Sequence, residues 1–62
     1  MQPEPKKMDA FKAAKKAARQ AIKAGRCVSA AHLIAMAVVT EHYPGKDKLI
    51  QDLAWQAVLA AR

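Results

Sequence analysis

Four side chains in this sequence are chemically versatile: Cys27, His32, Glu41 and His42. A thiol, two imidazoles and a carboxylate can in principle bind a transition metal or move a proton. A zinc site needs three or four such ligands converging at about 2.0–2.3 Å. Cys27-x4-His32 is not a zinc spacing, and Glu41 and His42 are sequence neighbours. On a helix, adjacent side chains diverge by about 100°. Cys27 is expected to be a small buried hydrophobe, the usual state of a free cysteine. The chain has no paired-carboxylate site, no glycine-rich phosphate loop and no Ser-His-Asp set. The expectation is a protein that binds rather than catalyses, with no metal and no cofactor.

A different chemistry is written in AFKAAKKAARQAIKAGR, from Ala10 to Arg26. It holds six basic residues, no acidic one, and mostly alanine between them. At about 100° per residue, Lys12, Lys15, Lys16, Arg19, Lys23 and Arg26 fall within an arc of about 100°. At 1.5 Å per residue the stripe is about 21 Å long. Phe11, Ala14, Ala18, Ala21 and Ile22 lie on the other side of the same helix. Like charges crowd along the basic face, at a cost of a few tenths of a kcal/mol per pair. An ordinary solvated face mixes signs, so this one points to an external anion.

The whole-chain balance agrees. The net charge is +6. Residues 1–26 carry eight cations against Glu4 and Asp9, which accounts for all of it. Residues 27–62 carry Lys46, Lys48 and Arg62 against Glu41, Asp47 and Asp52, and sum to zero. Such asymmetry suggests a nucleic acid, a membrane surface or an acidic protein patch as partner.

The elements that must position the stripe are all helical. Residues 1–8 hold two prolines and two lysines and are expected to be a flexible tail. A single helical domain follows over residues 9–62. Asp9 is a plausible N-cap, and Gly25 suits the C-terminal end of a helix over about 9–25. Ser29 can cap a second helix, about 30–42. Pro44-Gly45 marks a turn, and Asp47 can cap a third helix, about 47–61. The fold class is therefore all-α, a small three-helix unit. The second helix carries Leu33, Ile34, Met36, Val38 and Val39 among alanines and is expected to be buried on most sides.

In the third helix, Leu49, Ile50, Leu53, Ala57 and Ala60 form one apolar stripe. Trp55 and Leu59, spaced i and i+4, point away from it. Tryptophan is enriched among interface hot spots, so this pair is a candidate protein interface. Size adds weight. A 62-residue chain buries only about 60% of its unfolded surface. One cysteine allows no internal disulfide. The unit is therefore expected to be oligomeric, in the simplest case a dimer.

Among anions, duplex or single-stranded nucleic acid would be held through its phosphates. The stretch AIKAGRCVSAAHLIA resembles a helix-turn-helix in its Ala21, Gly25 and Ile34. However, the start of the would-be recognition helix offers only Ser29 and His32 as polar groups, and base edges call for Arg, Lys, Asn or Gln. Phe11, Tyr43 and Trp55 do not interleave with the basic residues, so a stacking platform is not indicated. The alanine face of the first helix lacks the bulk to enter a lipid headgroup layer. No signal peptide is visible, and the uncharged run from Cys27 to Thr40 is too short to span a bilayer. The expected setting is the cytoplasm.

In size, charge and alanine content the chain is similar to small accessory proteins of phages and plasmids, without a shared residue motif. The sequence thus predicts a small regulatory binding protein. Its polyanion site would be Lys12, Lys15, Lys16, Arg19, Lys23 and Arg26, and its interface Trp55 and Leu59. The alternative is an inhibitor or adaptor that acts on another protein through the basic face or the Trp55/Leu59 stripe.

Overall fold

Alanine, lysine, arginine and glutamine favour helix, and from Asp9 onward nothing interrupts them before Gly25. The computed structural model describes residues 5–62, with side chains from Met8 onward. It contains α1 (Pro5–Lys23), α2 (Val28–His42) and α3 (Asp47–Ala61), and each helix packs against both others. The chain is an all-α three-helix unit.

The junctions follow local chemistry. Gly25 has φ +87°, a left-handed conformation that glycine adopts without a Cβ penalty. The Arg26 amide donates to the Ala21 carbonyl and the Gly25 amide to the Ile22 carbonyl, both at 3.0 Å. That pair of bonds is a Schellman closure. Between α2 and α3 the Lys46 amide donates to the Tyr43 carbonyl at 3.2 Å across Pro44-Gly45. Gly45 has φ +82°, which fits a type II turn with Pro second and Gly third.

The helix starts differ from the sequence expectation. α1 begins at Pro5, so residues 5–8 of the expected tail are helical and Asp9 lies inside the helix rather than capping it. Proline suits the first helical position, where an amide N–H would have no partner anyway. Residues 1–4 of the expected tail lie outside the described residues. Cys27, not Ser29, is the N-cap of α2, and Lys46, not Asp47, that of α3. Neither cap makes a side-chain hydrogen bond. Asp47 instead places its charge in the first turn of α3, where the helix dipole favours it.

The core is built of small residues. Among the described residues, nine of the thirteen buried hydrophobic side chains are alanine, and the largest that are fully enclosed are Val39 and Val58. Alanine at the contacts lets helices approach closely, but each removes little apolar area from water. The expectation for α2 needs correction. Its buried residues are Ala31, Ala35 and Val39, at i, i+4 and i+8, while Leu33 is 64% exposed. Ile34, Met36 and Val38 are only partly buried at the edge of the core. The small face of α2 turns inward because it admits close neighbours, and the bulkier residues fall on the flanks and outside. On α3 the buried set is Ile50, Leu53, Ala54, Ala57, Val58 and Ala61; Leu49 is partly buried and Ala60 exposed.

Candidate polyanion and protein interfaces

The first site stands on α1. Ala10, Ala14, Ala18 and Ala21 turn into the core, and Phe11 and Ile22 pack at its edge. That fixes the rotation of the helix and turns the opposite face outward. Lys12, Lys16, Arg19 and Lys23 are exposed and Lys15 is partly so. From Lys12 to Lys23 the stripe runs about 17 Å at 1.5 Å per residue. Lys12, Lys15, Lys16 and Arg19 line a shallow groove of about 190 Å³ on this face. Arg26 is exposed too, but it follows the left-handed Gly25, so helical spacing does not place it on the stripe.

None of these cations has an ion-pair partner among the described residues. Asp9 lies one turn before Lys12 and is exposed without pairing to it. Five ammonium and guanidinium groups therefore share one helical face, with no described carboxylate paired to any of them. Lys23, in the last turn, also complements the negative end of the α1 dipole. Such a face offers point charges from Lys and a forked donor from Arg19, which suit phosphate and carboxylate oxygens.

The second site stands on α3. Trp55 is 43% exposed and Leu59 is 61% exposed. They occupy the side of α3 away from Ala57 and Ala61, which are buried. His32 of α2 stacks on Trp55, with ring centroids 3.9 Å apart and planes 20° apart. The His32 Nε2 atom is enclosed and has no hydrogen-bond partner. Sequence spacing did not pair His32 with Trp55. Its one local signal is its place on the flank of the Ala31/Ala35/Val39 stripe, which turns it toward a neighbouring helix.

The four residues weighed for metal or acid–base work are dispersed. Cys27 is exposed, contrary to the expectation of burial. The Nδ1–H of His42 donates to the Val38 carbonyl of its own helix at 3.1 Å. Among the described residues, no three His, Cys, Asp or Glu side chains come together. Nor is any helix there long and apolar enough to cross a membrane.

No protein-family model, no curated protein and no solved structure matches this chain. The functional reading therefore rests on these two faces.

Proposed function

We propose that the protein is a small non-enzymatic binding protein that docks the basic face of α1 on a polyanion, with the phosphate backbone of nucleic acid as the ligand. The observation that carries this reading is the run of cations from Lys12 to Lys23 on one solvent-facing side of α1, none with an ion-pair partner among the described residues. A solvated face kept only for solubility would interleave acids, which both stabilise the helix and maintain charge. Here each added cation lowers helix stability slightly. A phosphate track removes that repulsion and releases its own condensed counterions. Binding of this kind is set by backbone charge and carries little base specificity.

The test is a titration of mixed-sequence duplex DNA across a salt series. With about four phosphates contacted, log affinity should fall against log salt with a slope near −3.6, at −0.9 per contact. Absence of binding at low salt would overturn the reading.

A protein partner is the second reading, favoured by the exposure of Trp55 and Leu59. In that case the chain is an adaptor or inhibitor, and the α1 stripe meets an acidic protein surface. Either way, a homodimer fits the alanine-built core, which leaves the isolated unit with little apolar burial.

A further inference from the structure

The outward face of α3 carries a pattern that matches itself. Asp52, Trp55 and Leu59 of α3 and its C-cap Arg62, whose amide still donates to the Val58 carbonyl at 3.1 Å, are all exposed. On a wheel at about 100° per residue they fall within an arc of about 80°, directly opposite the buried Ala57. Along the helix the order is acid, aromatic, aliphatic, base. Position 57 is its midpoint: Trp55 and Leu59 stand two residues to either side, and Asp52 and Arg62 five.

A surface of this kind is complementary to a copy of itself turned end for end. We propose that the occupant of this face is a second copy of the chain, with α3 packed antiparallel on α3 about a two-fold axis opposite Ala57. At 1.5 Å per residue, Trp55 and Leu59 lie about 3 Å to either side of that axis and Asp52 and Arg62 about 7.5 Å. In the dimer each Trp55 meets the other copy's Leu59, and each Asp52 meets the other copy's Arg62. A two-fold interface repeats every contact, so the pattern gives two apolar contacts at the centre and two ion pairs at the ends. A parallel arrangement would instead set Asp52 against Asp52 and Arg62 against Arg62.

Two further observations support this occupant. His32 already holds one face of the Trp55 indole, so the anchor is ordered before the partner arrives and loses little freedom on binding. Among the described residues the core encloses no side chain larger than valine completely, and burial of Trp55 and Leu59 supplies apolar area that the single chain lacks. The inference rests on the dimer reading but not on the polyanion reading, since it uses a different helix.

The experiment is sedimentation equilibrium of the full chain over a concentration series, with reductant present because Cys27 is exposed. Five forms are compared: wild type, Leu59→Ser, Asp52→Arg, Arg62→Asp and the double swap. Each position is exposed, so circular dichroism should show the fold kept in all of them. Leu59→Ser should weaken the dimer about tenfold, as loss of a central apolar contact does. Exposed pairs are worth a few-fold each, and a single swap turns two attractions into two repulsions, so each should raise the dissociation constant about tenfold. The double swap should return it to near the wild-type value. A monomer at every concentration overturns both the dimer and this pairing. A dimer that ignores Leu59→Ser and the swaps keeps the dimer but overturns the α3 face. A double swap as weak as the singles overturns the antiparallel register.

Discussion

The imidazole of His32 lies nearly flat on the indole of Trp55, 3.9 Å between centroids and 20° between planes. This contact ties α2 to α3 outside the core, at a point where the core itself is small. An aromatic pair of this kind is worth about 0.5–1.5 kcal/mol beyond its area. His32→Ala should therefore lower the melting temperature by several degrees, because in a small domain 1 kcal/mol corresponds to about 4–8 °C. Trp55 emission should shift to the red as its covered face meets water. An unchanged melt and spectrum would show that the stack contributes nothing.

Burial on α2 sets a second contrast. Val39 is fully enclosed, whereas Leu33 is largely exposed. Val39→Asp would leave a charge unpaired in the core, at a cost of several kcal/mol. With total stability of about 5 kcal/mol for a small domain, the fold should be lost. Leu33→Asp should change stability by no more than about 0.5 kcal/mol, as surface substitutions do. Melts followed by circular dichroism distinguish the two. Equal damage from both would mean that the rotation of α2 described above is wrong.

How far the sequence reads to this point depends on the residue. Gly25 and Pro44-Gly45 punctuate the chain by their own backbone chemistry, so three helices and the span of α3 were legible. The starts of α1 and α2 were not: Pro5 opens α1 ahead of the cap-like Asp9, and Cys27 opens α2 without a side-chain cap bond. The burial of α2 was misread because a helix apolar almost all round was expected to be covered on most sides, and in alanine-lined packing only its small face goes inside. The α1 stripe was legible because its opposite face is an uninterrupted alanine row. The His32–Trp55 stack was not, since it depends on how α2 and α3 settle against each other.

The left-handed backbone at Gly25 gives a local test. A Cβ built there meets nothing within 4 Å, so the cost of Gly25→Ala is conformational alone. It should destabilise by about 1 kcal/mol. D-alanine at the same position, introduced by chemical synthesis, should be neutral or stabilising, because it prefers positive φ. If both enantiomers cost the same, steric contact rather than backbone strain governs this turn.

Cys27 caps α2 with φ −73° and ψ 165° but makes no side-chain cap bond. That backbone is the extended conformation an N-cap residue needs. Cys27→Ser should supply the missing acceptor and stabilise by about 0.5–1 kcal/mol. Polyanion binding should be unchanged. A loss of binding with the fold intact would give the thiol a role that its exposed, unpartnered position does not suggest.

The α1 stripe carries the last prediction, which separates its charge from its helix. Lys15, Lys16 and Arg19 sit within one turn or so of each other, face solvent, and have no ion-pair partner among the described residues. Changing all three to Gln removes three like charges and keeps residues that favour helix. Helicity and melting temperature should hold or rise slightly, since the repulsion along the face is relieved. Binding should weaken. For a duplex DNA ligand, each lost phosphate contact removes about 0.9 from the slope of log affinity against log salt, so the slope should flatten by about 2–3 units. For an acidic protein, the same variant should mainly slow association and the salt effect should be gentler. If affinity and salt response both stay at wild-type values, the stripe does not dock. The exposed cations would then serve solubility, and binding would have to reside on the Trp55/Leu59 face of α3.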